Sequence, residues 1–125
     1  MPINQYGFDF VAWEQAKAEA RDVIVQRARQ RARIPYSELV SHIGAITIAY
    51  NDPRLSYFLD EISSEEDEQG RGLLTVIVVH KQGDMQPGPG FFEMAQRRGR
   101  NTSDELRCWV EEFNRVHDYW ANRHP

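Results

Sequence analysis

The amino-acid sequence predicts an α+β domain that is mostly helical, with four or five helices packed on a small sheet containing a strand at 73–80. Apolar residues recur at helical spacing toward both ends of the chain, and glycine and proline cluster just past its middle. Between them lies the run Leu73-Leu74-Thr75-Val76-Ile77-Val78-Val79, in which six of seven residues are apolar and three are valines. That pattern reads as a strand buried on both faces.

From Asp9 to Arg33, Trp13, Ala16, Ala20, Val23, Ile24 and Ala28 repeat at helical intervals, predicting a long helix over 9–33. Pro35 stops it and opens a short second helix through Tyr36, Leu39, Val40 and Ile43, ended by Gly44. Ala45 to Tyr50 reads either as a short strand or as a link. Asn51-Asp52-Pro53 reads as an N-cap with proline at the first helical position, launching a helix through Leu55, Phe58, Leu59 and Ile62. The acidic stretch up to Gly70 is its frayed end or a loop. Beyond the strand and the Pro/Gly loop, Phe91 to Gln96 predicts one or two helical turns closed by Gly99. Thr102 and Glu105 have capping-box spacing, so a last helix is expected over 102–122. Leu106, Trp109, Val110, Phe113, Val116, His117 and Trp120 make its apolar face.

A chain of 125 residues, 41% hydrophobic and 27% charged, suits one globular domain, 1–125. No apolar run is long enough for a bilayer, and no basic segment leads into an apolar core at the N-terminus, so a cytoplasmic location without a membrane partner is expected. The single cysteine, Cys108, cannot form an internal disulfide and reads as a packed thiol beside Trp109. A net charge of −4 opposes general affinity for nucleic acid. Its distribution is uneven: Arg21, Arg27, Arg29, Arg31 and Arg33 end the first helix, and Arg97, Arg98 and Arg100 form a second basic knot. Asp60, Glu61, Glu65, Glu66, Asp67 and Glu68 make an acidic patch between them. These groups read either as solvated helix ends or as a bipolar surface that docks a charged partner.

The order of elements over 35–100 resembles a winged helix, in which a helix-turn-helix pair leans on a small sheet and a hairpin wing touches a partner. Ile34-Pro35-Tyr36-Ser37-Glu38-Leu39-Val40-Ser41-His42-Ile43-Gly44 resembles the opening of the DNA-binding domain of alkylguanine-DNA alkyltransferases and their alkyltransferase-like relatives. Where that family places Pro-Cys-His-Arg, this chain has Val78-Val79-His80-Lys81, without the acceptor cysteine or the tryptophan that replaces it, so the resemblance does not imply alkyl transfer. A broader resemblance is to small, mostly uncharacterised bacterial proteins with a Tyr-x-Glu-Leu helix, then Leu-Leu-x-x-Val-Val-x-Lys, a Pro-Gly-x-Gly-Phe-Phe loop and a Trp-rich last helix. Tyr36, Glu38, Leu39, Leu73, Leu74, Val78, Val79, Lys81, Pro87 to Phe92, Trp109 and Trp120 carry it, and it implies no particular chemistry.

The residues themselves narrow the chemistry. A restriction-type nuclease needs a carboxylate two positions before the strand lysine, and Val79 stands there before Lys81. His42, His80, His117 and His124 lack metal-ligand spacing, so neither metal nor cofactor is expected. Gly88-Pro89-Gly90 lacks the Gly-Lys-Ser/Thr ending of a P-loop, and proline removes a backbone donor that a phosphate cradle uses. The expected site is a recognition surface: His80, Lys81, Asp84, Phe91 and Phe92 around the 81–92 loop, with Arg97, Arg98 and Arg100 nearby. Asp84 also suits a turn cap. A non-catalytic module for a protein partner or self-association ranks first. A DNA- or RNA-binding module using the loop and the arginine knot ranks second, and an enzyme with a site near His80 and Lys81 third.

Overall fold

The computed structural model describes residues 4–81 and 86–123. A two-residue hairpin opens it, β1 (Asn4–Gln5) pairing antiparallel with β2 (Phe8–Asp9). Tyr6 and Gly7 between them both take positive φ, 55° and 86°, the turn geometry that matches strand twist. Helix α1 (Phe10–Arg29) follows, its Asp9 cap accepting from the Ala12 N–H at 3.0 Å. Trp13, Ala16, Ala20, Ile24 and Ala28 form its buried stripe.

Helix α1 ends before the expected position 33. Arg31 takes φ 54°, and the Ala32 and Arg31 N–H groups return to the Arg27 and Ala28 carbonyls, a Schellman closure made without glycine. The chain is thereby freed to form β3 (Ile34–Pro35), with Pro35 preceding α2 (Tyr36–Ser41) rather than opening it from within. Residues 42–53 are an irregular link that buries Ile43, Ile46 and Ile48. Helix α3 (Arg54–Glu68) takes in most of the acidic stretch. Within the expected Asn51-Asp52-Pro53 start, the Asp52 side chain accepts from the Arg54 N–H at 2.9 Å. Gly70 closes it in the same Schellman manner at φ 75°, with Arg71 N–H on the Glu66 carbonyl.

The expected strand at 73–80 is corrected. Leu74–Ile77 form a 3-10 turn, and only Val78–Val79 are extended, as β4, paired parallel with β3. The segment is as dry as its composition demands: Leu73, Leu74, Val76, Ile77, Val78 and Val79 are all 0% exposed. Periodicity cannot separate a strand from a turn when every face is covered. What selects the turn is the source of backbone partners. Glu112 accepts from the Leu73 N–H at 2.8 Å, Ser63 from the Thr75 N–H at 3.0 Å, and the Trp109 indole donates to the Val76 carbonyl at 3.1 Å. Side chains from two helices do what a neighbouring strand does in a sheet.

After the loop come α4 (Pro89–Arg97), closed by Gly99 at φ 87°, and α5 (Glu105–Ala121). Asp104, rather than the expected Thr102–Glu105 box, caps α5 by accepting from the Arg107 N–H. The face of α5 is also rotated from expectation: Cys108, Glu112, Val116 and Trp120 are buried, while Leu106 and Val110 are 55% and 40% exposed. The mostly helical α+β architecture thus matches the sequence, with a β component confined to two short pairs.

The acidic patch and the arginines neutralise one another. Asp60 pairs with Arg97, Asp67 with Arg98 and Arg100, and Glu66 with Arg21 and Arg71. Burial alone would push the Glu66 carboxyl up, but hydrogen bonds from Arg71 and Arg21 outweigh it and hold it below the ordinary 4.5. Its contribution to stability is therefore complete above that value and lost as pH falls through the lower folded one. In acid titration the unfolding free energy should fall below about pH 4.5, and less steeply in Glu66→Gln. Glu112, 1% exposed, also meets Arg100 at 3.0 Å. Glu112→Ala should cost about 1–3 kcal/mol in denaturant unfolding, by leaving the buried Leu73 N–H without its acceptor and the part-buried Arg100 with Asp67 alone. Glu112→Gln, which keeps an acceptor, should cost less; equal losses would contradict the double role.

Candidate functional site

A cleft of about 500 Å³ opens between the first half of α3, the link at 50–53, the start of α2 and the Gly88–Phe91 entry to α4. Its walls are carbon-rich, with Tyr36, Tyr50, Pro53, Leu55, Leu59 and Phe91, and its polar side chains include Asn51, Asp52, Ser56, Asp60, Thr75 and His80. Tyr50, 59% exposed, stands on the rim.

Local chemistry shapes the cleft. The Gly88 N–H donates to the Tyr36 hydroxyl at 2.9 Å, tying the glycine loop to α2 and leaving the phenol's own proton able to donate. Burial raises the Tyr36 phenol above its usual range, opposed by that N–H. The His80 ring packs against Tyr36, centroids 5.2 Å apart, and the His80 backbone N–H donates to the Gln86 carbonyl at 3.0 Å. Gly90 lies so near α3 that a Cβ there would sit 2.6 Å from Ser56 Oγ. This close approach is why glycine suits the second position of α4.

Two carboxylates face the cleft and differ. Asp52 is held low by hydrogen bonds from the Arg54 side chain and backbone. Asp60 is pushed up to about 6, because burial outweighs the lowering effect of Arg97, whose Nη2 meets Oδ2 at 3.0 Å.

Of the residues singled out in the sequence, His80 and Phe91 line this cleft, and Lys81 borders a neighbouring cavity of about 470 Å³ with Ser37 and Tyr50. Asp84 lies outside the described residues. Phe92 is buried edge-to-face against Phe91, 5.4 Å between centroids, and belongs to the core. Arg98 and Arg100 lie away from the cleft in pairs with Asp67 and Glu112, and Arg97 reaches it only through Asp60. Among the described residues no cluster of His, Cys, Asp and Glu could hold a metal ion. His117 is buried on the Ala32 carbonyl at 2.9 Å, and burial lowers its pKa. Burial raises the Cys108 thiol. Sequence pattern does not single out Tyr50 or Ser56, places Tyr36 only within the Pro-Tyr-Ser-Glu-Leu motif, and offers Asp60 only as part of the acidic patch or, with Asp52 and Glu61, as a lone carboxylate for an under-ligated nuclease site.

Gly90→Ala should lower stability by about 1 kcal/mol by crowding Ser56. Adding Ser56→Ala, whose Cβ stays at an ordinary 3.7 Å, should recover it. Urea unfolding of the four variants checks this; a loss that persists in the double variant refutes the contact. No protein-family model, curated protein or solved structure matches this chain, so the cleft is read on its own geometry.

Proposed function

We propose that the protein is a non-catalytic, cytoplasmic accessory module that seats a short segment of a protein partner in the cleft between α3 and the Gly88–Phe91 loop. The observation that carries this is the cleft's build: apolar walls, an exposed tyrosine on the rim and a few directed polar groups. Such a surface gains from burying an apolar anchor while polar atoms set its orientation. The ion pairs of Arg97, Arg98 and Arg100 favour a protein partner over phosphates, since those guanidinium groups already have carboxylates. Catalysis has less support: among the described residues no hydrogen bond joins Ser56, His80 and Asp60 into a nucleophile–base pair. No described helix is long and apolar enough to cross a membrane. The succession of α2, α3 and β4 favours a winged-helix-like arrangement. Because β4 pairs parallel with β3 and α4 follows the loop, the surface we assign is the cleft and not a wing.

Panning a displayed random-peptide library on the protein should select sequences with a large side chain as anchor. Tyr50→Ala should weaken the selected peptides about tenfold, the size expected for one rim aromatic. Tyr57→Ala, an exposed tyrosine outside the cleft, should leave them unchanged. Failure to select any peptide, or equal losses in both variants, would overturn the assignment.

A further inference from the structure

We infer that the anchor this cleft takes from its partner is a lysine side chain, its stem lying on the aromatic walls and its ammonium on Asp60 Oδ1. The inference rests on the recognition reading above and names the chemistry of the occupant.

Charge complementarity comes first. The cleft is lined by two aspartates and by no lysine or arginine. Asp52 is spent, since Arg54 meets both of its oxygens. Asp60 engages Arg97 through Oδ2 alone, and Oδ1 has no protein partner among the described residues. Burial still outweighs Arg97 at this carboxyl, and Glu93 and Glu61 add negative potential from α4 and α3. The ionised form therefore has less positive charge nearby than it can use. A cation arriving from the cleft supplies it.

The shape of the donor decides between the two cationic side chains. Arginine presents a planar fork that is best matched by both oxygens of a carboxylate, whereas lysine offers a compact charge that one oxygen satisfies. Only Oδ1 of Asp60 is without a partner among the described residues. Tyr36, Tyr50 and Phe91 supply the apolar and aromatic surface on which a four-carbon stem lies, with the ammonium carried past the rings. The Tyr36 hydroxyl accepts from the Gly88 N–H, and its own proton serves as a donor to a carbonyl of the same segment.

The pH behaviour has a definite sign. Protonating Asp60 removes the counter-charge, so lysine binding should weaken as pH falls through about 6. The titratable and charged groups facing it are Arg97 and Glu93 on α4, Glu61 on α3, and Tyr36, Tyr50, Asp52 and His80 around the cleft. His80 needs its own control.

The test uses a cleft-selected peptide made with lysine, arginine or norleucine at its anchor position. At pH 7.5 norleucine should bind at least about tenfold more weakly than lysine on the wild-type protein, and about equally on Asp60→Asn. Lysine binding should drop about tenfold from pH 7.5 to 5 in the wild type and in His80→Asn, but not in Asp60→Asn. Arg97→Met, at an exposed position, should tighten the lysine peptide by removing a competing cation. Peptides that bind as well with norleucine and ignore Asp60→Asn would overturn the inference while leaving the recognition module intact. A pH drop abolished by His80→Asn, or weaker binding in Arg97→Met, would also overturn it. Absence of all peptide binding would instead defeat the underlying reading.

Discussion

The backbone of Leu73–Val79 has to be satisfied in a place that water does not reach, and the rest of the molecule is arranged around that demand. Each buried Leu, Ile or Val there contributes roughly 1.5–3 kcal/mol by leaving water. An unpaired buried amide would cost about as much as one such side chain gains. The segment keeps both benefits by drawing partners from three helical side chains, Ser63 on α3 and Trp109 and Glu112 on α5. Glu112 is itself a buried charge, so it draws in Arg100, which brings Asp67 and the end of α3 with it. A local hydrogen-bonding need thus propagates into the ion-pair network across the α3–α5 side of the fold.

The same network engages the second arginine cluster with carboxylates of the acidic patch. Arg98 and Arg100 neutralise Asp67, and Arg21 and Arg71 neutralise Glu66. Lys17 behaves alike near the start of α1. Burial would lower its pKa, but the hydrogen bonds it donates to Glu65, Glu14 and Glu61 hold it well above the ordinary lysine value. Asp60 is the exception. One arginine does not compensate its burial, and it faces open space.

Much of the fold was legible in the sequence where one residue decides locally. The α1 stripe from Trp13 to Ala28, the Gly99 closure and the dryness of 73–79 all follow from side-chain type and spacing. What was not legible depends on partners distant in sequence. The turn at Leu74–Ile77 is chosen by Ser63, Trp109 and Glu112, and the rotation of α5 by the pull of Arg100 and Leu73 on Glu112. Arg31 ends α1 in a conformation usually left to glycine, which no composition rule anticipates. Of the site, the glycine loop with His80 and Phe91 could be read directly. Tyr50 and Asp60 could not, because their approach to that loop is made by the path of residues 42–53 and the packing of α3 on α4.

The parallel pairing of β3 with β4 joins residues 34–35 to 78–79, and the turn before it takes its hydrogen bonds from elements on either side in the chain. A proteolytic nick that released the last helix would bare the Leu73 amide and the Val76 carbonyl in the apolar centre. The two ends of the chain thus share one set of buried hydrogen bonds, and the loss of either should be felt by both.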